Sequence, residues 1–206
     1  MASPRRTRTI PRKRPRQARS VATVDALLEA TARVLVKHGY DGLSTNRVAE
    51  AAGVSIGSLY QYFPSKEAMV GELLEKYSSL FQQLLMKLLT PDEARTPRGV
   101  AEAVVRAMVE LKRTNPKLAR VLREQIPRVG RMNRYEENLA QTVVAATVFL
   151  EHHREALRVT RVRDAAFIMV HAVEAATHAG VIEESIDPEV LIADVTELVT
   201  RYLLKD

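Results

Sequence analysis

Helical periodicity constrains this chain more than any other feature of its sequence. Apolar side chains recur three and four residues apart from Val24 almost to the C-terminus, and no stretch alternates as a half-buried strand does. The first apolar stripe runs to His38 and is followed by Gly39, a candidate left-handed C-cap. Glycine is scarce, with 8 residues in 206, whereas a sheet protein with many tight turns needs more. The sequence therefore predicts an all-α fold of about nine helices.

Several predicted helices begin at a capping side chain. In three cases proline follows the cap, and proline suits the first helical position. These pairs are Thr96-Pro97, Asn115-Pro116 and Asp187-Pro188. Ser65 can cap a long helix that extends to about Leu89, and two further helices are expected over about 131–156 and 161–179, the second ending at Gly180.

Positive charge is concentrated at the N-terminus. Residues 1–20 contain seven arginines and one lysine but no acidic residue, whereas the remaining residues contain 23 basic and 25 acidic side chains. Prolines interrupt this segment, so we expect a disordered arm that neither forms a helix nor buries a core. Such an arm suits a polyanion, most simply nucleic acid, although a solubilising tail would have the same composition.

Some classes of function are disfavoured by what the sequence lacks. There is no cysteine, which excludes disulfides, thiol nucleophiles, and zinc or iron–sulfur sites built on cysteine. There is neither a glycine-rich phosphate loop nor a recognisable nucleophile constellation, so we expect no enzyme, no cofactor and no metal. No apolar run approaches the roughly 18 residues of a membrane span, and no apolar signal segment follows the arm, so we expect a cytoplasmic protein that binds no membrane.

Two short helices separated by a tight turn, within residues 43–63, give the most specific signal. Ser44 or Thr45 can cap the first helix, Gly53 can form the turn, and Ser55 can cap the second helix. This is the helix-turn-helix arrangement, whose second helix enters the major groove of DNA. An ordinary helical hairpin with exposed tyrosines would show the same spacing.

The second of these helices presents small and polar side chains outward. Leu59 and Phe63 lie four residues apart and must point into the core, which leaves the other residues on the surface. Gln61 can make paired hydrogen bonds with adenine, and Ile56 offers an apolar contact for a thymine methyl group. The surface candidates are Ile56, Gly57, Ser58, Tyr60, Gln61 and Tyr62.

Several sequence elements in residues 43–67 occur together in a known family. They are the Gly53-Val54-Ser55 turn, Gly57, the Leu59-Tyr60-x-Tyr62-Phe63 run and Ser65-Lys66-Glu67. Together they resemble the N-terminal domain of TetR/AcrR-type transcriptional regulators, and the resemblance covers about residues 21–67. It implies that some of these side chains face bases or neighbouring phosphates and that others hold the DNA backbone. The first group is Ser58, Tyr60 and Gln61, and the second is Thr45, Tyr62 and Lys66.

The resemblance also implies a division of the chain. The basic arm would occupy residues 1–20, a helix-turn-helix DNA-binding domain 21–67, and a larger helical domain 68–206 would bind a ligand and dimerise. Members of the family pair through their last two helices as a four-helix bundle. The last helix here has a wide apolar surface that includes Leu198 and Tyr202, and the preceding helix is rich in small residues, so we expect a homodimer. The same faces could instead close the core of a monomer.

Candidate effector contacts in the larger domain are scattered at helical spacing. An apolar cavity would be lined by Phe81, Met108, Tyr135 and Phe167, with His171 or Glu174 as a polar anchor. Core packing is the commoner role of such apolar residues. His171, Glu174 and His178 fall on one face of a helix, where they could anchor a ligand, bind a metal or form an interface.

Together these features predict a sequence-specific DNA-binding transcriptional regulator. The resemblance implies a repressor that an apolar small molecule releases from a pseudo-palindromic operator on double-stranded DNA. Two alternatives remain: a nonspecific nucleic-acid binder that uses its basic arm, and an all-α enzyme. A regulator would show a large sequence preference at physiological salt, whereas a nonspecific binder would not.

Overall fold

The computed structural model describes residues 18–92, 95–183 and 186–205, so nearly all of the predicted basic arm lies outside the described residues. Within these ranges the chain forms nine α-helices, as predicted, and one short 3₁₀ turn at Arg154–Ala156. The helices are α1 Ala18–Gly42, α2 Thr45–Ala52, α3 Ile56–Tyr62, α4 Lys66–Leu88, α5 Pro97–Arg113, α6 Pro116–Gln125, α7 Met132–His152, α8 Val162–Glu183 and α9 Pro188–Leu203.

The predicted caps begin their helices. The Thr96 hydroxyl accepts a hydrogen bond from the Gly99 amide at 3.2 Å at the start of α5. At the start of α9, one carboxylate oxygen of Asp187 accepts from the amides of Glu189 and Val190 at 2.9 and 3.3 Å. In both helices a proline follows the cap, as predicted, because its missing N–H is not needed there.

Helix α1 differs from its prediction at both ends. It begins at Ala18, so residues 18–20 of the predicted arm are helical. Near its other end Gly39 has φ 65° and ψ 179°, which interrupts the helix with a conformation that favours glycine. The positive φ was expected of a C-cap, but the extended ψ is not that of the left-handed helix, and the chain resumes a helical turn to Gly42.

Gly180 does not end α8, contrary to the prediction. The helix continues to Glu183, and a Cβ atom on Gly180 would lie 2.7 Å from Cδ2 of Leu191 in α9. This glycine therefore permits the close approach of α8 and α9, and its role is packing rather than helix termination.

The chain divides into two compact units. The first contains the residues up to Ser78 together with Lys117–Asn133, and the second contains Ser79–Pro116 and the residues from Arg134 onward. The first compact unit extends beyond residues 21–67, because the beginning of α4 and the segment around α6 share its core. Leu118, Leu122 and Val129 are buried in the same core as Leu59.

The core of the first unit holds α1, α2, α3 and the beginning of α4 together. Its largest fully buried side chains are Leu27, Leu35, Leu43, Val48, Leu59, Phe63, Met69 and Leu118. Thr31 is also fully buried, and its hydroxyl donates to the Leu27 carbonyl at 2.7 Å, so no polar atom of this side chain is left unsatisfied.

The core of the second unit is formed mainly by α5, α7, α8 and α9. Val105, Val109, Phe149 and Ile192 are buried within it. After α9, Leu204 pairs with Leu157 in one isolated antiparallel bridge, and no longer strand occurs among the described residues.

Helix α8 is more apolar than the sequence prediction allowed. It has 22 residues, and an 18-residue window has a mean hydropathy of 1.5, so by length and composition it could cross a membrane. The expectation that no segment approaches this length was therefore wrong. A core helix of a soluble protein has the same composition, and 39% of this window is buried here.

Candidate nucleic-acid interface

Local hydrogen bonds shape the α2–α3 unit as the sequence predicts. Ser44, rather than Thr45, caps α2 by accepting from the Arg47 amide at 3.3 Å. Gly53 ends α2 in the left-handed conformation, with φ 67° and ψ 29°. Ser55 caps α3 by accepting from the Ser58 amide at 3.1 Å, which confirms the predicted cap.

Three buried side chains fix which face of α3 points outward. Val48 of α2, Leu59 of α3 and Phe63 just after α3 are all within the core of the first unit. Because Leu59 lies at the centre of a seven-residue helix, the side chains on the opposite face must be solvent-exposed.

That outward face contains the predicted base-contacting residues. Ile56 is 39% exposed and Tyr60 is 41% exposed, although both are large apolar or aromatic side chains. Gln61 and Gly57 are also exposed, while Ser58 and Tyr62 are half-buried. A Cβ atom on Gly57 would meet nothing nearer than Ser55 Oγ at 3.9 Å, so no packing within the protein requires a glycine here.

Thr45 of α2 contacts Tyr60 of α3. Its hydroxyl lies 3.1 Å from the Tyr60 hydroxyl; Tyr60 is exposed and Thr45 is half-buried. A second hydroxyl pair, Ser55 and Ser58, is 2.9 Å apart at the N-terminus of α3. Hydroxyl pairs of this kind can donate to phosphate oxygens and fix the register of a protein on a duplex.

Lys66 has a structural partner that the sequence did not indicate. Its Nζ donates to the Tyr40 carbonyl at 3.0 Å and lies 4.5 Å from the centroid of the Tyr40 ring. An ammonium group has three donors, so this bond leaves Lys66 able to bind a phosphate as well. The resemblance implied only a DNA-backbone contact for Lys66, and its bond to Tyr40 was not expected from the sequence.

Tyr40 also contacts two charged side chains, Glu67 and Arg128, and neither contact was expected from the sequence. Its hydroxyl donates to Glu67 at 3.3 Å, and burial together with the Glu67 charge raises the pKa of Tyr40 to about 12, so the phenol stays protonated. The Arg128 guanidinium lies 5.6 Å from the Tyr40 ring centroid. Five basic residues and one acidic residue in 117–133 were a signal that could have drawn attention to this segment.

The predicted effector contacts do not all lie in one environment. Met108 is buried in the second core, Phe81 packs against it, and Tyr135 is half-buried. Phe167 is 55% exposed and stacks on His171, with ring centroids 4.2 Å apart. Phe167 therefore lies on the surface of the second unit rather than within an enclosed cavity.

The two predicted polar anchors, Glu174 and His171, also lie in different environments. The Glu174 carboxylate accepts from Lys112 Nζ at 2.9 Å, and both side chains are largely buried. His171 Nδ1 is 2.8 Å from the Phe167 carbonyl oxygen on the more exposed side of α8. Among the described residues, no group of three or more acidic, histidine or cysteine side chains could hold a metal ion, so a metal site at His171, Glu174 and His178 is not supported.

A cleft of about 220 Å³ occurs elsewhere in the second unit. It is lined by Arg113, Pro116, Gly180, Val181, Ile186, Pro188 and Leu191. None of the six predicted effector contacts borders this cleft.

The last two helices each present an apolar face to solvent. In α8 this face includes Phe167 and Ile168, and in α9 it includes Val190, Leu198 and Tyr202. The side of α9 that carries Ile192 and Val199 is instead buried in the core of the second unit. The protomer therefore buries only part of the wide apolar surface predicted for α9, and the rest is exposed to solvent.

Comparison with known proteins gives matches to both parts of the chain. Residues 27–73 match the family model of bacterial regulatory proteins of the tetR family, and residues 96–203 match the model of the tetracyclin repressor-like C-terminal domain. The nucleoid occlusion factor SlmA of Actinobacillus pleuropneumoniae is 34% identical over 86 residues, which are 41% of this chain and 41% of SlmA. The chain therefore spans about two fifths of the length of this relative.

Two solved structures have the same fold over nearly the whole chain. The fatty acid degradation regulator FadR of Bacillus halodurans has a TM-score of 0.71 at 19% identity, covering 90% of this chain and 96% of FadR. SmeT, the repressor of the Stenotrophomonas maltophilia multidrug efflux pump SmeDEF, has a TM-score of 0.70 at 18% identity, covering 91% and 93%. Because one family model covers the helix-turn-helix and the other alone covers more than half of the chain, the protein belongs to the TetR family of bacterial regulatory proteins.

Proposed function

We propose that this protein is a transcriptional repressor that binds a pseudo-palindromic operator as a homodimer and is released by a small-molecule effector. The observation that carries the proposal is the outward face of α3. That face exposes an apolar side chain, an amide and a phenol beside a glycine with open space above it. Groups of these kinds read base edges and phosphates in the major groove.

The site residues divide into two proposed roles. Gln61 and Ile56 are exposed on α3 and would contact base edges, Gln61 through a pair of hydrogen bonds to adenine. The linked hydroxyls of Thr45 and Tyr60, with Ser58, Tyr62 and Lys66, would hold phosphates on either side of the groove. Gly57 would lie where the helix backbone comes nearest to the DNA.

The exposed apolar faces of α8 and α9 support the proposed homodimer. Phe167, Ile168, Leu198 and Tyr202 would leave water when a second copy packs against them as a four-helix bundle. Two copies related by a two-fold axis would place two α3 helices in successive major grooves, which is why the operator is expected to be pseudo-palindromic.

Release by an effector is proposed on the strength of family membership and of the neighbours. SmeT has been solved in a complex with triclosan, and FadR is a fatty acid degradation regulator. An apolar molecule that packs near Phe81, Met108 and Tyr135, with His171 or Glu174 as the polar contact, would favour a conformation in which the two α3 helices no longer fit the operator. The protein would then act in the cytoplasm, where operators and effector are both present.

The test is a selection of duplexes from a random pool, first with the wild-type protein and then with Gln61→Ala. We expect a two-fold symmetric consensus, and we expect Gln61→Ala to relax one symmetric pair of positions, at a cost of about 1–3 kcal/mol for the preferred base. Gln83→Ala is the matched control, since Gln83 is an exposed glutamine on α4 outside the α2–α3 unit. If Gln61→Ala and Gln83→Ala select the same consensus with the same affinity, α3 does not read the DNA as proposed.

A second candidate, a sequence-nonspecific DNA binder, is favoured by the N-terminal arm. Eight cations within residues 1–20 would bind phosphates of any sequence. The resemblance of part of the chain to a nucleoid occlusion factor leaves this candidate open to test. In the selection, a nonspecific binder would enrich no consensus at physiological salt.

A further inference from the structure

The segment around α6 changes the charge of the first unit. Residues 18–78 have a net charge of −1, whereas residues 117–133 have a net charge of +4. The second segment packs into the core of the first unit through Leu118, Leu122 and Val129. The unit that contains the helix-turn-helix therefore owes its positive charge, apart from the arm, to a segment far away in the sequence.

Arg128 is the member of this segment with a defined place beside the proposed DNA-binding face. Its guanidinium lies 5.6 Å from the Tyr40 ring centroid, and the Lys66 ammonium lies 4.5 Å from the same centroid. Val129, the next residue, is buried, so the backbone that presents Arg128 is fixed by the core. Two cations thus gather around one aromatic ring at the N-terminus of α4.

The ion pair of Arg128 with Asp41 is too weak to explain why this side chain lies beside Tyr40. Arg128 Nη1 lies 3.7 Å from Asp41 Oδ1, and the two side chains are 55% and 95% exposed. Exposed pairs at such distances contribute little to stability, because water screens the charges and both side chains lose entropy on pairing. A guanidinium has five donors, so this contact leaves Arg128 able to bind a phosphate in a bidentate manner.

We propose that Arg128 is a DNA-backbone contact, which binds a phosphate beside the one held by Lys66. This inference rests on the proposed function, since it places the duplex against α3 and the N-terminus of α4. The Asp41 carboxylate then competes with the phosphate for the guanidinium in the free protein. The contact belongs to the segment between α6 and α7, which lies within the match to the C-terminal family model.

The test is the salt dependence of binding to two duplexes, the best duplex from the selection and a random-sequence duplex of the same length. A phosphate contact is independent of base sequence, so both duplexes report it. Arg128→Ala should flatten the slope of log affinity against log salt by about 0.9 for each protomer bound. Arg128→Lys should retain most of the slope, because it keeps the charge.

Asp41→Asn and Arg98→Ala complete the design. Asp41→Asn removes the competing carboxylate and should raise affinity for both duplexes by more than the same change does in the Arg128→Ala background, whereas an Arg128 that binds no phosphate would give the same rise in both backgrounds. Arg98→Ala is the control, since Arg98 is an exposed arginine paired with Glu197 in the second unit, and its slope should equal that of the wild type.

The outcomes separate this inference from the proposed function. If wild-type protein prefers no duplex, the proposed function fails, and the slopes on the random duplex still decide the role of Arg128. If Arg128→Ala has the wild-type slope on both duplexes, Arg128 is not a phosphate contact. If Arg128→Ala proves unstable on thermal unfolding, Asp41→Asn becomes the deciding variant, and an unchanged DNA affinity in that variant would overturn the inference.

Discussion

Gly57→Ala separates the stability of α3 from its ability to bind DNA. The glycine is within the helix, and the added Cβ would meet only Ser55 Oγ at 3.9 Å, an ordinary contact. Alanine is the better helix former by roughly 0.5–1 kcal/mol, because glycine loses more backbone entropy on folding. The variant should therefore be as stable as the wild type or slightly more stable, and its melting temperature should rise by about 1–3 °C.

The same methyl group should weaken DNA binding. It would project from the face of α3 that approaches the groove, where a close-packed interface has no room for it. Overpacking of a close contact costs about 1–3 kcal/mol, which corresponds to roughly 5- to 150-fold weaker binding. Operator affinity by fluorescence anisotropy and unfolding by calorimetry measure the two effects on the same preparation.

Gly53→Ala is the matched comparison, because it adds the same methyl group four residues earlier. No atom lies within 4 Å of the Gly53 Cβ, but Gly53 has φ 67°, a conformation that costs an L-residue about 1–2 kcal/mol. Gly53→Ala should therefore lose stability where Gly57→Ala does not. Wild-type DNA affinity in Gly57→Ala would refute the placement of this residue at the DNA interface. A large loss of stability in the same variant would show that the space beside Gly57 is not open.

Three further changes test other parts of the structure. Gly180→Ala should destabilise the protein by about 1–3 kcal/mol in urea unfolding, because its Cβ would lie 2.7 Å from Leu191 Cδ2, whereas helix propensity alone predicts a gain. Leu198→Glu should give a folded monomer in sedimentation, since Leu198 is 51% exposed in the protomer, and an intact dimer would place the interface elsewhere. Deletion of residues 1–17, which carry seven cations, should flatten the salt dependence of DNA binding without changing the selected consensus, and an unchanged slope would make the arm a solubilising tail.

Features set by neighbouring residues could be predicted from the sequence. Ser55, Thr96 and Asp187 each cap a helix because their side-chain oxygens reach backbone amides two or three residues ahead. Gly53 was predicted for the same reason, since a turn between two short apolar-faced helices requires a residue that tolerates positive φ.

Features set by distant residues could not be predicted. A glycine that ends a helix and one that admits a neighbouring side chain look alike in sequence, so the sequence predicted a helix end at Gly180, where the structure has close packing against Leu191. The apolar pattern of α6 shows that Leu118 and Leu122 are buried but not which core receives them. The partner of Lys66 is the backbone carbonyl of Tyr40, which also accepts from the Leu43 amide, and a contact to a backbone carbonyl 26 residues away has no signal in the sequence.

The most direct test of the central claim, sequence-specific recognition through α3, is the ratio of two dissociation constants at physiological salt. One is for the best selected duplex, and the other is for a duplex of the same length and base composition in scrambled order. Specific DNA-binding proteins prefer their site by roughly 10³–10⁷-fold, and this protein should fall within that range. A ratio near one, with tight binding to both duplexes, would contradict the account and identify a sequence-nonspecific DNA binder.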